Sequence, residues 1–333
     1  MEKRKIEWAA LSKHRGELMG IAIILIVLFH VPLPRASVFF GIKRMGNIGV
    51  DIFFFLSGIG LWYAWCKNPD TLHFYKRRLL RILPAWLTVS TAFYLPDFMG
   101  PRRFSSTPAD LIGDITINWD FWRHDELTFW YIPATLALYL IAPLYMRMLR
   151  KNPAWTIMPV LMMAWCVAVQ YIPPVHSAVG HIEIFWSRIP VFLTGIVIGR
   201  LVKEQHTLPH AALRVMAATA AVLLTMCIWL EQAVHGRFPI FLERMMYIPL
   251  TVAACMLLAH YLERLPTMAR TALTFTGSIS LEIYLLHSHF ILARIQPMGL
   301  GYWVTFALCM AITLPAAWLL HTIIEHFLKA MRL

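Results

Sequence analysis

The chain has 333 residues, 59% of them hydrophobic and 14% charged, with a mean hydropathy of +0.61. Soluble domains carry roughly a quarter charged residues, so a soluble α/β enzyme, a disordered chain, a collagen and a disulfide-stapled secreted domain are excluded. What remains is an all-α polytopic membrane protein, whose net charge of +12 is expected from the basic loops that orient membrane helices and not from nucleic-acid binding.

A helix needs about 20 mostly apolar residues to cross a hydrocarbon core of about 30 Å. That template fits ten times, near residues 18–34, 46–65, 79–98, 127–149, 154–172, 184–202, 211–230, 239–262, 271–293 and 300–328. The runs are continuously apolar, which favours helices over the short alternating strands of a barrel. The first 17 residues are too charged for a signal peptide and no small-residue cleavage site follows, so 18–34 reads as an uncleaved anchor. Pro84, Pro143, Pro159, Pro190, Pro249 and Pro315 fall inside the runs and are expected to kink them. The longest loop, 97–126, carries Asp97, Asp110, Asp114, Asp120, Asp125 and Glu126 and is expected to hold a short surface helix. Its Trp119, Phe121 and Trp122, with Trp130, suit either lipid anchoring or stacking on sugar rings.

With ten spans both termini share a side. The loops on that side hold 20 Lys and Arg against 10 on the other, so both termini are expected in the cytoplasm and loop 97–126 outside. No repeat or low-complexity tract interrupts residues 1–333, which read as one transmembrane domain without a fused soluble domain. The five cysteines are scattered without a CxxC pattern and read as packing residues, and among Glu282, His287, His289, His321, Glu325 and His326 no HExxH or HxxxH spacing suggests a metal.

Ionisable residues inside apolar runs are costly, so each is a functional candidate. His30 lies about 18 Å along the first run and His287 about 24 Å along the ninth, which puts both in the outer half. Asp51 shares that depth from the other direction. A carboxylate near an imidazole would fix its tautomer and steady the imidazolium, so His30, Asp51 and His287 form a candidate acid–base group, with interhelical hydrogen bonding as the alternative. Glu282 faces about 140° away from His287 and is expected to pair with another helix, while His289 shares the face of Glu282. Arg78 and Arg81 share a helical face at the inner end, where two guanidiniums suit either a phosphate-rich ligand or a lipid headgroup.

Several segments carry a family pattern in order. They are Ile21-Ala22 through Leu28-Phe29-His30, Gly49-Val50-Asp51-Ile52-Phe53-Phe54-Phe55-Leu56-Ser57-Gly58, Arg78-Leu79-Leu80-Arg81-Ile82-Leu83-Pro84, Trp130-Tyr131 with Pro143, and Gly277-Ser278-Ile279-Ser280-Leu281-Glu282-Ile283-Tyr284-Leu285-Leu286-His287. Together they resemble the integral membrane acyltransferase-3 family from about residue 12 to 328. The resemblance implies ten helices and transfer of an acyl group, usually acetyl, from cytoplasmic acetyl-CoA to a hydroxyl on an extracytoplasmic or lipid-linked glycan, in a bacterial cytoplasmic membrane. The family places a basic residue eleven positions before the first histidine, about 16 Å away on the same face. Here that position is Met19, and Arg15, one turn earlier, is the expected stand-in.

The expected mechanism docks the CoA phosphates near Arg15, Arg78 and Arg81 and uses His30 as general base on the acceptor hydroxyl. A covalent acyl-histidine relay stays open, and Ser57 reads as packing. The rival reading is a transporter or flippase for a lipid-linked sugar, and a lipid-binding sensor is a third. A homo-oligomer is left open.

Overall fold

In lipid every backbone N–H and C=O must be satisfied within its own segment, so continuous apolar runs fold as helices. A computed structural model describes residues 6–124 and 126–331. Asp125 of the acidic loop, and Lys3, Arg4, Lys5 and Arg332 of the basic tally, lie outside the described residues. The main helices are α1 (Arg15–His30), α2 (Ile48–Lys67), α3 (Thr71–Met99), α4 (Pro108–Ile117), α5 (Tyr131–Lys151), α6 (Met158–Tyr171), α7 (Ile189–Lys203), α8 (Ala211–Val234), α9 (Ile240–Leu262), α10 (Thr267–Ser278), α11 (Ser280–Leu286) and α12 (Tyr302–Ala330). Among the described residues, strand is confined to Ile6–Glu7 pairing antiparallel with Thr207–Leu208.

Among the described residues, seven helices are long and apolar enough to cross a membrane: Phe40–Lys67, Thr71–Met99, Tyr131–Lys151, Pro153–Tyr171, Ala211–Val234, Ile240–Leu262 and Tyr302–Ala330. An eighth span results if Pro173–Trp186 and Ile189–Lys203, bent by 44°, count as one. The other two of the ten expected spans take a different form. The first is the 16-residue α1, about 24 Å long and short of a full crossing. The ninth breaks at Ile279 between α10 and α11 and then runs into a π turn at His287–Leu292.

Pro84, Pro143, Pro249 and Pro315 do lie inside helices. Pro190 occupies the first turn of α7, and Pro159 the first turn of α6 where the 3-10 turn Pro153–Ile157 passes into it, positions at which a missing N–H costs little. The surface helix expected in loop 97–126 is α4. Its start is a capping box in which Thr107 Oγ1 accepts from the Asp110 amide at 3.1 Å and Asp110 accepts from the Thr107 amide at 3.1 Å. Hydrogen bonds from Ser106 and Thr107 hold the Asp110 carboxyl below its usual range.

Two glycine contacts set the bundle's closest approaches. Gly16 and Gly20 are four apart on α1 and meet Gly277 of α10; a methyl on Gly277 would fall 2.2 Å from the Gly16 carbonyl oxygen, and one on Gly20 would fall 2.1 Å from that of Leu273. On α7, a methyl on Gly195 would fall 2.2 Å from the Phe55 carbonyl oxygen of α2, and one on Gly58 would fall 2.4 Å from that of Phe192. Small residues four apart let membrane helices touch backbone to backbone, which holds α1 and α2 close to the partners that carry the site. Gly277→Ala and Gly195→Ala are each expected to destabilise the protein by about 1–3 kcal/mol through overpacking. Thermal unfolding in detergent checks this, and an unchanged midpoint for both would contradict the close packing.

Candidate active site

α1 ends at His30, and the π turn after α11 begins at His287, so two imidazoles from distant parts of the chain meet. His287 Nε2 lies 3.2 Å from His30 Nδ1, and the ring centroids are 4.9 Å apart. Their tautomers follow from the backbone. His287 Nδ1 is 2.9 Å from the carbonyl oxygens of both Ile283 and Tyr284, and a carbonyl only accepts, so Nδ1 carries the proton and Nε2 a lone pair. His30 Nδ1 is 2.8 Å from the Ile26 carbonyl oxygen, so it too is protonated and is shared between Ile26 and His287. That leaves His30 Nε2 unprotonated.

Three consecutive residues of the π turn, His287, Ser288 and His289, line one cavity. That space, the outer chamber, has a volume of about 290 Å³ and is also lined by His30, Arg44, Asn47, Trp130, Glu231, Glu243 and Arg244.

A second, inner chamber of about 70 Å³ is lined by Arg15, Arg78, Arg81, Met19, Ser57 and Tyr139. Ile26 and Tyr284 line both chambers, so the two abut across these side chains. The three arginines singled out from the sequence therefore do converge. Among the described residues none of them has a carboxylate within salt-bridge distance. Arg15 Nε donates to the Leu56 carbonyl at 3.4 Å, and Arg78 Nε is buried without a partner. Arg78 also lines a surface cavity of about 430 Å³ with Lys67, His73 and Arg77. Ser57 shares a hydrogen bond with Tyr139 at 3.0 Å and belongs to this inner chamber, away from the histidines.

Asp51 is corrected as a histidine partner. Its carboxylate pairs with Arg188, both side chains being fully buried, and Arg188 also donates to Asn47 Oδ1 at 3.3 Å. The physical reason is azimuth: Asp51 sits on the face of α2 that packs against α7, while α1 covers another face. His30 Nδ1–H donates to His287 Nε2 instead. Glu282 pairs with His321 of α12 at 2.8 Å, which agrees with its expected turn away from His287.

The sequence reading missed the rest of the outer chamber. Arg44 makes two bonds to Glu231, at 3.0 and 3.2 Å, and His235 Nδ1 lies 2.5 Å from the same carboxylate. Arg244 pairs with Glu183, and the Tyr247 hydroxyl donates to Glu243. Of these, Arg44 and Arg244 enter the sequence reading only as loop charges in the Lys and Arg tally. The signal that would have found them is that Glu243 and Arg244 lie a few residues inside the run 239–262, as Arg188 does inside 184–202. Among the described residues no group of three His, Cys, Asp or Glu is placed to hold a metal ion.

Removing one partner of a buried ion pair typically costs about 3–5 kcal/mol, while replacing both by apolar residues is often neutral. Arg188→Leu is accordingly expected to lower the unfolding midpoint sharply, and Asp51→Leu/Arg188→Leu to recover most of the loss. Equal midpoints for the single and double variants would contradict the pair.

A profile described as an acyltransferase domain, that of the acyltransferase-3 family, matches residues 18–322. The matched stretch contains both histidines, Arg78 and Arg81 and begins after Arg15. A regulator of hypoxia-inducible factor 1 from Caenorhabditis elegans is 29% identical over 131 residues, a match covering 33% of this chain and 25% of that relative's length. No solved structure matches.

Proposed function

The chain belongs to the acyltransferase-3 family, and on that premise we propose that it transfers an acyl group, acetyl in the simplest case, from cytoplasmic acyl-CoA to a hydroxyl of an extracytoplasmic or lipid-linked carbohydrate. The proposed location is the bacterial cytoplasmic membrane, with both termini inside. The observation that carries this reading is the pair of abutting chambers. One has three arginines without carboxylate partners, and the other has a histidine with a free Nε2.

The donor's phosphates are assigned to Arg15, Arg78 and Arg81, with Lys67, His73 and Arg77 beyond them toward the surface. The thioester end reaches past Ile26 and Tyr284. His30 Nε2 takes the proton from the acceptor hydroxyl as its oxygen attacks the thioester carbonyl, and His287 Nε2 accepts from His30 Nδ1–H, which favours the imidazolium that forms. Among the described residues Tyr284 Oη receives the Tyr131 amide at 3.3 Å and donates to no acceptor, so its proton is available to the developing oxyanion. Collapse of the intermediate forms the ester and breaks the carbon–sulfur bond, and the proton held on His30 passes to the leaving thiolate. Asp51 acts in this scheme through the packing of α2 and not on the reacting atoms.

The division of labour is testable on purified variants. His30→Ala should keep acetyl-CoA binding and lose about 10²–10⁴ in single-turnover rate. Arg78→Ala and Arg81→Ala should weaken acetyl-CoA binding about 10- to 100-fold, each losing charge-assisted bonds worth about 1.5–3 kcal/mol, with Lys restoring only part. Calorimetry and transfer of labelled acetyl give the two readouts. A wild-type rate in His30→Ala, or normal binding by both arginine variants, would sink the assignment, and relocation of an unmodified acceptor would mark a transporter.

Orientation has its own check. A cysteine placed at Asp110 should react with an impermeant reagent from outside intact cells; labelling only after lysis would reverse the sidedness proposed here.

A further inference from the structure

The outer chamber does not repeat the charge pattern of the inner one. Each guanidinium on or behind its wall has a carboxylate: Arg44 with Glu231, Arg188 with Asp51 and Arg244 with Glu183. An anionic acceptor would find no uncommitted cation and would have to break one of these pairs. A cationic acceptor would likewise enter a space whose Glu231 and Glu243 are already balanced in number by Arg44 and Arg244.

Hydrogen-bonding capacity nevertheless remains. Glu243 accepts from the Tyr247 hydroxyl and lies within hydrogen-bond reach of the Glu231 carboxyl, which still leaves lone pairs for further donors. Arg244, nine-tenths buried, keeps its Nε without a partner. Phe29, Phe129 and Trp130 supply flat apolar surface beside these polar groups. Carboxylate acceptors, charge-neutralised guanidiniums and aromatic faces together suit a ring that offers hydroxyls from its edge and C–H groups from its face.

Resting on the acyl-transfer reading, we propose that the outer chamber selects an uncharged, polyhydroxylated ring, with Glu243 and the Arg44–Glu231 pair as the residues that read it beside His30. The paired state of Arg44 sets the charge preference. Glu231 cancels it in the native protein, and an unpaired Arg44 would recruit an anion instead.

The test uses the full-length protein in nanodiscs, labelled acetyl-CoA, and three probes with one ring: methyl glucoside, methyl glucuronide and methyl glucosaminide. The neutral probe should be acetylated with kcat/KM about 10-fold or more above either charged one. Glu231→Gln, which frees Arg44, should move the ratio toward the glucuronide by about 10-fold, whereas Arg44→Gln/Glu231→Gln should keep the neutral preference. Should Glu231→Gln fail to fold, Glu243→Gln provides the second arm and should raise the glucoside KM about 10-fold with the acetyl-CoA KM unchanged. The proposal is overturned if a charged probe is preferred, if none of the three is acetylated while CoA release still depends on His30, or if Glu243→Gln leaves the glucoside KM unmoved. Absence of any His30-dependent CoA release is the separate result that overturns acyl transfer itself.

Discussion

A guanidinium enclosed among apolar helices costs several kcal/mol unless something answers its charge, and the protein meets that demand in two ways. Around the outer chamber the answers come from within: Asp51, Glu183 and Glu231 each take one arginine. In the inner chamber Arg15, Arg78 and Arg81 converge without a carboxylate in the lining. Three like charges in one small space repel each other, so a ligand carrying several negative charges stabilises that chamber as well as binding to it. The same requirement thus fixes the outer wall and leaves the inner one incomplete until it is occupied.

The histidine pair depends on this division. His30 is useful as a base only if one ring nitrogen is reliably free, and free nitrogens in an apolar environment look for donors. Backbone carbonyls solve the problem on both rings by claiming each Nδ1, and Ile26, Ile283 and Tyr284 supply them at 2.8 to 2.9 Å. In the proposed mechanism a carboxylate next to His30 would stabilise the imidazolium more strongly but would also bring a fixed negative charge beside the thioester, and the pairing of Asp51 with Arg188 keeps that charge away. Ser288 and His289, in the same π turn as His287, line the chamber beside it.

Depth along the membrane is legible in the sequence, because helix rise is constant, and that is why His30 and His287 were placed together and Arg15, Arg78 and Arg81 together. Azimuth is not. Which helix lies across from a given face depends on packing, so the partner of Asp51 was misread, and a span broken at Ile279 with a π turn after it was counted as one straight helix. Charges near the ends of apolar runs were misread for a related reason: Arg188, Glu231, Glu243 and Arg244 look like loop residues until tertiary contacts show that they are buried. The glycine pattern was present in the sequence at Gly16 and Gly20, and again at Gly195 and Gly199. Its meaning, backbone contact with Gly277 and with α2, emerges only when the facing helix is known.

The departure at Met19 fits the same geometry. Arg15, Met19 and Ile26 line the inner chamber, and Ile26 and His30 the outer one, so a single stripe of α1 runs the length of both. The spacings of four, seven and four residues keep these side chains within about 60° of one another. A basic residue at position 19 would stand about 16 Å from His30 along this stripe, whereas Arg15 stands about 22 Å away. Met19 therefore makes the middle of this stripe apolar and leaves its guanidinium one turn farther from His30. On the proposed acyl transfer, a donor held at Arg15 would have to be extended to bring its thioester past Ile26 and Tyr284. The apolar stretch between the charges, as much as the charges themselves, would then measure the ligand.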